Sequence, residues 1–328
     1  MTNTLVSICM PIRNGERFIR ETLESVLAQT YNNVEILIGE NCSTDRTAKI
    51  LNEYTVTHSQ LRVISYEKSV SFAQSCNRLI SEAKGKYVAI FHADDLYDKT
   101  IVEKSVRALE DNANILGVFS SGNIVNAKSQ ITRTYPGSVG IERDLIVNLN
   151  NYVTNYLNDW NPLICPSAVI RKQAYIDNGC FDESLRYIED LDMWLRLLKK
   201  GNLLVLAEHL VSYRMYDEQG GSIYGDKTRS DLSIPLKYMK KFVEENNMMK
   251  SHGKALNKAM AKDYLKQAFF AANQRNYSGF HKAIKQSQEL YRFYKNIPYF
   301  IFQSGVGRIN YFLVSNLLNR LLLKNKYY

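Results

Sequence analysis

Two adjacent carboxylates follow a run of apolar residues in the segment YVAIFHADDLYD, residues 87–98. Burying or crowding Asp94 and Asp95 costs free energy unless a cation or the polar groups of a ligand compensate their charges. Mg²⁺ takes oxygen ligands and is typically held by one or two carboxylates together with substrate phosphates. The pair therefore suits a site for a metal ion and a phosphorylated ligand, although acidic pairs after strands more often form solvated turns or helix caps.

A second polar cluster, GENCSTDRT, covers residues 39–47. Glu40 and Asn41 offer acceptors and an amide that can contact the edge of a nucleobase. The same segment is also typical of a polar loop that leads into an N-capped helix. Neither GxGxxG nor GxxxxGK occurs in the sequence, which therefore gives no support to a dinucleotide site or a phosphate-binding P-loop.

A third cluster, FDESLRYIEDLDMWLRLLKKG, covers residues 181–201 and combines acids with an apolar stripe at helical spacing. The stripe consists of Leu191, Trp194, Leu195 and Leu198. On a helical wheel Asp190 and Asp192 flank this stripe, and Glu189 lies on the far side. Partial desolvation at an apolar margin raises the pKa of a carboxylate toward that of a general base, whereas a helix N-terminus near Ile188 opposes the shift. The alternative is that these acids only stabilise the start of the helix.

Alternating strands and helices are predicted to position the first two clusters. The strands are expected at 5–12, 34–39, 61–66 and 86–92. The helices are expected at 16–29, at about 43–54, at 71–83 and at 99–111. This alternation favours a parallel sheet covered by helices on both faces, and such sheets bind ligands at the carboxyl ends of their strands. Both polar clusters follow strands of this kind.

The pattern is less regular after residue 112. A strand is predicted at 115–125, an irregular polar segment at 126–160, and a strand that leads into a helix at 166–175. A helix at 187–201 and strands within 203–216 follow, and the chain from about residue 229 onward reads as helical.

Charge divides the chain of 328 residues, which carries a net charge of +9. Residues 229–328 hold 18 Lys and Arg against 5 Asp and Glu, whereas residues 1–228 hold 24 against 28. The five cysteines form no CxxC pair, the N-terminus does not resemble a signal peptide, and no apolar run is long enough for a membrane span. These features predict a globular protein in the reducing cytoplasm, with a slightly acidic body and a basic C-terminal part.

The order and spacing of the three clusters, together with VSICMPIRNGERFIRETLESVLAQTYNNVEILIG before them, closely resemble the family 2 glycosyltransferases. The resemblance covers about residues 4–216. It implies the GT-A fold, a Rossmann-like and mostly parallel sheet flanked by helices, here with a C-terminal helical extension. The expected domains are a glycosyltransferase domain at 1–228, with a nucleotide-sugar half at about 1–125 and an acceptor half at about 126–228, and a basic extension at 229–328.

The resemblance also implies an inverting transfer from a nucleotide-diphosphate sugar, usually a UDP-sugar, with Mn²⁺ or Mg²⁺. Carried over by position, the implied nucleotide-sugar contacts are Pro11, Arg13 and Asn14 after the first strand, Glu40 and Asn41 at the base, and Asp94 at the ribose or the metal. Asp95 is the implied metal ligand, and Asp190 is the implied catalytic base. Asn41 replaces one acid of the pair that the family places at the base.

Two further positions depart from the family. His92 stands where many relatives carry a third acid, and Tyr216 stands in YRMYD where relatives often have a His associated with the diphosphate. Arg214 and Tyr216 are the candidates to replace that His. Glu189 and Trp194 are candidate contacts to the acceptor or the diphosphate, although the place of Trp194 within the apolar stripe favours a core position.

The basic, aromatic-rich extension has three interpretations. It packs as a helical extension on the catalytic body or on a second subunit, it binds an anionic membrane surface, or, last, it binds nucleic acid. A membrane role would fit a glycan or lipid-linked acceptor of the kind used in bacterial surface-polysaccharide assembly. A catalytically idle sugar-nucleotide binding or scaffold protein is the rival function, and the presence of both Asp95 and Asp190 disfavours it because a binding protein needs no base.

Overall fold

The computed structural model describes residues 4–216, 231–274 and 276–291. These residues fall into two compact units. The first unit contains the described residues up to 152 and from 161 to 216, and the second contains residues 153–160 and the described residues from 231 onward. The expected domain boundary at 228/229 lies outside the described residues.

The N-terminal part of the first unit is a parallel β/α arrangement. Its strands are β1 (Val6–Ile12), β2 (Val34–Glu40), β3 (Leu61–Ser65) and β4 (Tyr87–Ile90). Its helices are α1 (Ile19–Leu27), α2 (Thr47–Thr57), α3 (Phe72–Glu82) and α4 (Ile101–Asp111). The strands lie side by side in the order β3-β2-β1-β4 and run parallel, so their carboxyl ends share one edge of the sheet.

The sequence fits these elements locally. All four residues of β4 are buried, as expected for a strand covered on both faces. Helix α3 begins with a capping box: the Ser71 hydroxyl accepts the Gln74 backbone N–H at 3.2 Å, and the Gln74 side chain accepts the Ser71 N–H at 2.9 Å. These signals are short-range, which is why the four strands and four helices agree with the predicted segments to within a few residues at most of their ends.

The complete sheet has ten strands and is mixed. Its other strands are β5 (Leu96–Tyr97), β6 (Ile115–Val125), β7 (Ile131–Thr134), β8 (Leu145–Val147), β9 (Val169–Arg171) and β10 (Asn202–Arg214). The main order is β3-β2-β1-β4-β9-β6-β10-β5, with β7 on β6 and β8 on β10. The short β9 is antiparallel to both β4 and β6, and β10 is parallel to β6. It follows that β6 and β10 run in the same direction as β4, and that Arg214 lies at the same sheet edge as the acids after β4.

The expected α/β sheet flanked by helices is confirmed, and its longest pairings are parallel. Five short antiparallel pairings make the sheet mixed, because short strands inserted between and beside the long ones reverse direction. One expectation needs correction. Residues 126–160 are not simply irregular, since they contain β7, a 3₁₀ turn at Pro136–Ser138, β8 and helix α5 (Leu149–Leu157). The first unit is completed by α6 (Lys172–Asp177) and α7 (Glu189–Leu198).

The second unit is helical in its described part, as predicted for the chain beyond residue 229. Its helices are α8 (Ile234–Glu245), α9 (Met249–Asn273) and α10 (Tyr277–Leu290). Helices α9 and α10 share an apolar cluster that includes Leu265, Ala268, Phe280 and Ile284. Among the residues that the structure describes, no helix is both long and apolar enough to cross a lipid bilayer. The aromatic-rich segment 292–328 lies outside the described residues.

Candidate active site

The loop that carries Asp94 and Asp95 leaves the carboxyl end of β4 and is fastened at both ends. The Tyr97 hydroxyl accepts the backbone N–H of His92 at 2.6 Å and lies 3.2 Å from the His92 carbonyl oxygen, to which it donates. The Tyr97 ring stacks on Phe91 with centroids 3.9 Å apart. From α1, the Thr22 hydroxyl donates to the Asp95 carbonyl oxygen at 2.8 Å. The positions of the two carboxylates are therefore set by buried contacts from three segments.

Arg214, at the end of β10, is the principal support of the acid pair. Its backbone N–H donates to Asp95 Oδ1 at 2.7 Å, and its Nε donates to the Asp94 carbonyl oxygen at 2.6 Å. Its guanidinium also binds Glu21 at 2.9 Å and the Ser129 hydroxyl at 2.9 Å, and it lies over the Phe18 ring at 4.5 Å.

This arrangement corrects the expectation that Arg214 contacts a diphosphate. The Arg214 side chain has no exposed surface, and its guanidinium donors are directed at protein acceptors. Arg214 instead positions the two acids. A ligand would meet the acids, and not the guanidinium behind them.

His92, Asp94 and Asp95 form the one group of three metal-ligating residue types found among the described residues, with one ligand atom of each lying within 4.8 Å of the others. Asp95 is completely buried, and its Oδ2 has no hydrogen-bond partner. Burial and, next, the charge of Asp94 raise the pKa of Asp95 well above its usual range, against the opposing hydrogen bond from Arg214. An unpartnered carboxylate oxygen beside a second acid fits a divalent cation, which would supply both the missing partner and the missing positive charge.

Tyr216 contacts the Asp94 carboxylate. Its hydroxyl donates to Asp94 Oδ2 at 3.2 Å, and its ring packs against Phe18 with centroids 4.9 Å apart. Burial, and then the charge of Asp94, raises the pKa of the Tyr216 phenol to about 12, so the phenol keeps its proton at neutral pH. Tyr216 thus stands at the acid pair as a hydrogen-bond donor.

The loop after β1 and the loop after β2 are tied together. Asn14, which has a positive φ of 52°, accepts the Thr44 backbone N–H at 2.8 Å through its side chain and donates its own backbone N–H to the Ser43 hydroxyl at 3.0 Å. Asn is among the residues that tolerate this left-handed conformation. Pro11 is partly buried, and Arg13 is exposed at the same sheet edge. The structure therefore places these three predicted nucleotide contacts next to the second polar cluster.

Glu40 and Asn41 are both nearly buried at the end of β2. Glu40 Oε1 accepts the Ser43 backbone N–H at 2.7 Å. The Asn41 amide donates to the Val70 carbonyl oxygen and accepts the Val70 N–H, each at 2.8 Å. An acid at position 41 could not make the first of these bonds, since a carboxylate has no donor. This pairing gives a structural reason for the Asn, and the expected contact with a base stays a prediction for both residues.

Asp190 lies in the first turn of α7 and is partly buried. Its Oδ1 accepts the backbone N–H of Leu191 at 2.8 Å. Burial raises the pKa of Asp190 to about 6, with a smaller contribution from the charge of Glu189, while the bond from Leu191 opposes the rise. Desolvation therefore outweighs the helix N-terminus, and the carboxylate has the basicity that a general base needs near neutral pH.

The neighbours of Asp190 differ in role. Glu189 was expected on the far side of the helix, but it is nearly buried, and burial raises its pKa against hydrogen bonds from the backbone N–H groups at the helix start. Asp192 forms an ion pair with Arg196 one turn later, with Nη2 and Oδ2 2.5 Å apart. Trp194 has no exposed surface and packs edge-on against Phe119 with centroids 4.9 Å apart. Trp194 therefore belongs to the core and offers no surface to an acceptor.

Tyr135 and Cys165 are site residues that the sequence did not suggest. Beyond the effect of burial, the charges of both Asp190 and Asp95 raise the pKa of each, which for Tyr135 reaches about 12. Both side chains are only partly buried, and the Tyr135 ring packs edge-on against Tyr213. Tyr135 and Cys165 thus lie within electrostatic reach of the proposed base and the acid pair alike, which links the third sequence cluster to the first. No pattern marks them, because one lies in an irregular segment and the other in a short 3₁₀ turn.

Known proteins that resemble this chain are glycosyltransferases. The family model described as glycosyl transferase family 2 matches residues 7–177. An uncharacterized glycosyltransferase of Haemophilus influenzae is 30% identical over 226 residues, which cover 67% of this chain and 68% of the relative. The glycosyltransferase GlyG of Streptococcus pneumoniae is 26% identical over 237 residues, covering 70% and 75%.

Solved structures resemble the fold. The S. aureus protein TarS, residues 1–349 in complex with UDP-GlcNAc, superposes with a TM-score of 0.60 at 17% identity, covering 88% of this chain and 91% of that one. The mannosyltransferase PcManGT of Pyrobaculum calidifontis, in complex with GDP-Man and Mn²⁺, gives a TM-score of 0.53 at 14% identity, covering 98% and 81%. These likenesses concern the fold alone.

Proposed function

The chain belongs to glycosyl transferase family 2 and has the GT-A fold, and from this premise we propose that it is an inverting enzyme that uses a nucleotide-diphosphate sugar, a UDP-sugar in the first instance. The observation that carries the proposal is the completely buried Asp95, whose Oδ2 is unpartnered at the carboxyl edge of the sheet beside Asp94. A buried, unsatisfied carboxylate is costly in a structure without a ligand and is explained by a cation-bound diphosphate. The solved relatives bound to UDP-GlcNAc and to GDP-Man and Mn²⁺ support this class of donor.

We assign donor binding to the loops at the sheet edge. Pro11, Arg13 and Asn14 would border the nucleotide, with Glu40 and Asn41 at the base. Arg13 is the exposed cation of this group and would lie toward the negative charge of the donor. Asp94 would bind the ribose or the metal, and Tyr216 would hold Asp94 through its hydroxyl.

Asp95, together with Asp94, would hold a divalent metal, Mn²⁺ or Mg²⁺. Bound there, the metal would neutralise the diphosphate and stabilise the charge that develops as it leaves. The protein's own contribution is to fix the carboxylates beforehand, through Arg214, Thr22 and Tyr97, so that no reorganisation is needed when the donor binds.

Asp190 would act as the general base. It takes the proton of the acceptor hydroxyl while that oxygen forms a bond to the anomeric carbon on the face opposite the diphosphate. The bond from the anomeric carbon to the diphosphate oxygen breaks, and the nucleoside diphosphate leaves with the electron pair. One displacement inverts the configuration at this carbon. The pKa of about 6 matches the task, because the carboxylate is ionised at neutral pH and still basic enough to accept a proton.

The acceptor is proposed to be a hydroxyl of a glycan or of a lipid-linked glycan, of the kind used in building surface polysaccharides, on the cytoplasmic side of the membrane where nucleotide sugars are made. Tyr135, and Glu189 behind Asp190, would border the acceptor. The basic extension from residue 229 onward, proposed as a separate domain, would bring the enzyme to an anionic membrane surface or pair it with a second subunit. The net charge of +13 in residues 229–328 motivates the membrane proposal, because basic residues are attracted to anionic lipids.

The test of the donor site is calorimetric titration with UDP, GDP and dTDP, each with and without Mn²⁺. Wild type should bind one nucleotide, UDP by our proposal, in a metal-dependent manner. Asp95→Asn should lose this dependence while keeping its acceptor for the Arg214 N–H. The matched control is Asp98→Asn, which removes an exposed carboxylate just after β5 but keeps the side-chain oxygen that accepts the Thr100 N–H.

The base is tested separately. Asp190→Asn should nearly abolish transfer and leave binding of the nucleotide within about twofold, because general bases contribute about a hundredfold or more to rate and nothing to donor affinity. Equal losses of transfer and binding would contradict the assignment of Asp190, and failure of wild type to bind any of the three nucleotides would contradict the donor site itself.

A further inference from the structure

The position of the His92 ring is fixed more firmly than its place on a loop suggests. Both the backbone N–H and the carbonyl oxygen of His92 are bonded to the Tyr97 hydroxyl, and the ring packs edge-on against Phe72 with centroids 5.6 Å apart. Rotation of the ring away from the acids would give up this packing. The imidazole is therefore presented to the acid pair in one orientation.

Polar atoms of the ring and of the neighbouring acid lack partners. His92 Nε2 and Asp95 Oδ2 are both buried, and neither has a hydrogen-bond partner. The other ring nitrogen, Nδ1, faces Asp95 Oδ2 at 3.7 Å, which is too long for a hydrogen bond. Buried polar atoms without partners are few in folded proteins, and a cation between Nδ1 and the Asp95 carboxylate would supply the partner that Oδ2 lacks, although not one for Nε2.

A cation bound by both residues fits the distance between His92 Nδ1 and Asp95 Oδ2. Two ligand atoms bound to one metal at about 2.1 Å lie about 3.0 Å apart at an octahedral angle and about 3.4 Å apart at a tetrahedral one. The 3.7 Å between Nδ1 and Oδ2 exceeds these separations by less than an ångström, which a small shift of either side chain removes. Asp94, whose ligand atom completes the group within 4.8 Å, adds a second carboxylate at the same place.

We propose that His92 is a nitrogen ligand of the divalent cation held by Asp95 and Asp94, and that it makes the site select Mn²⁺ and similar transition metals over Mg²⁺. The inference rests on the proposed function, which requires a metal but not this ligand. Imidazole suits first-row transition metals, whereas Mg²⁺ prefers an all-oxygen set of ligands. The position at which many family members carry a third acid would thus tune which metal is used.

The experiment is pulsed electron paramagnetic resonance of Mn²⁺ bound to the full, tag-free chain in a nitrogen-free buffer, with and without UDP, GDP or dTDP. Wild type should show spin-echo modulation from a directly coordinated nitrogen. His92→Ala and His92→Phe should lose it, and their affinity for Mn²⁺ should fall by about tenfold or more, because even partners behind a ligand contribute that much. Affinity for Mg²⁺ should change by less than about twofold, since oxygen ligands dominate its binding.

The control is His58→Ala. His58 is partly exposed just before β3, at the amino end of that strand and hence at the opposite sheet edge, so this variant should keep both the nitrogen signal and the affinity. Mn²⁺ that binds without nitrogen modulation, or modulation that persists in both His92 variants, would overturn the His92 proposal and leave the donor site standing. Failure of wild type to bind Mn²⁺ with any of the nucleotides would overturn the metal site as a whole. Two variants are used so that a folding defect in one, visible in its thermal melt, does not decide the result.

Discussion

At the scale of single residues, the raised pKa of Asp190 connects proposed catalysis with stability. The carboxylate is ionised above its pKa of about 6 and protonated below it, and only the ionised form can accept a proton. The rate of transfer at limiting donor should therefore fall about tenfold per pH unit below pH 6 and be level above it. A pH–rate profile that shows no single-proton step near pH 6 would contradict the role of Asp190.

The same shift predicts that Asp190→Asn stabilises the protein. The pKa rises on folding from 3.8 to about 6, so ionised Asp190 costs up to about 3 kcal/mol of stability. This cost is complete above pH 6, shrinks as the pH falls toward 4, and vanishes below the unfolded-state pKa, where the carboxyl group is protonated in both states. The Asn variant keeps an acceptor for the Leu191 N–H, so its unfolding free energy should exceed that of wild type at pH 8 and equal it at pH 3.5.

The control for this prediction is Asp182→Asn, for which the expected change in unfolding free energy has the opposite sign. Hydrogen bonds from Ser184 lower the pKa of Asp182, so its ionised form contributes stability that is lost as the pH falls. Removing its charge should destabilise the protein at pH 8. If both Asn variants moved the midpoint of urea denaturation in the same direction at pH 8, the linkage argument would fail.

At the scale of elements, Arg214 joins the end of β10 to α1 and to the acid loop. Arg214→Ala should lower the unfolding free energy by about 3–5 kcal/mol, because it removes the guanidinium bonds to the Asp94 and Asn126 carbonyl oxygens and opens a cavity over Phe18. Arg214→Lys should recover little of this loss, since an ammonium group lacks the planar fork that reaches several acceptors at once.

Arg20→Ala is the matched control for this prediction. Arg20 also pairs with a carboxylate, that of Glu53, but both side chains are about half exposed. Exposed pairs contribute little, so this variant should unfold at the same urea concentration as wild type within error. Equal destabilisation by the two alanine substitutions would show that Arg214 is not the support that its contacts indicate.

Elements with local signals could be predicted from the sequence, and those that depend on distant partners could not. The strands from β1 to β4 combine apolar runs with flanking turn and cap residues such as Ser71, and these signals fix both their type and their bounds. The direction of β9 depends on its neighbours β4 and β6, and three residues carry no pattern that encodes it. The short antiparallel strands that make the sheet mixed could not be predicted for this reason.

The residues of the candidate site also differ in whether short sequence motifs or distant partners determine their roles. Asp94, Asp95 and Asp190 could be proposed from the sequence because their motifs are short and ordered along the chain. Arg214 was found but given the wrong role, since its burial depends on Glu21 and Ser129, which lie far away in sequence. The bond between the Asn41 amide and Val70 likewise spans 29 positions, and no sequence pattern links the two residues.

At the scale of the whole molecule, the second unit presents lysines that have no ion-pair partner among the residues that the structure describes. Lys250, Lys254 and Lys258 recur every four residues along α9 and are exposed. In the described part of the chain, none of these three has a carboxylate within ion-pair distance. Since each basic residue near an anionic bilayer contributes about 1 kcal/mol, replacing all three with Gln should sharply reduce binding to vesicles of phosphatidylglycerol and phosphatidylcholine.

The control replaces three other lysines of the same unit, Lys237, Lys240 and Lys241, each of which is paired with an Asp or Glu. Both triple variants lose the same formal charge, so the comparison separates a particular helix face from net charge. Flotation of the vesicles should recover wild type and the control but little of the α9 variant. Equal recovery of all three proteins, or binding to vesicles of phosphatidylcholine alone, would contradict a membrane role for this helix.

The distribution of the two tryptophans gives the molecule a pair of optical reporters. Trp194 is buried in the first unit without a hydrogen bond to its indole nitrogen, and Trp160, which is partly exposed, belongs to the second. A chain with Trp160→Phe would emit only from the apolar surroundings of Trp194, at short wavelength, and one with Trp194→Phe only from the other unit. The emission of each variant during denaturation would therefore report the unfolding of one unit, without an added fluorophore.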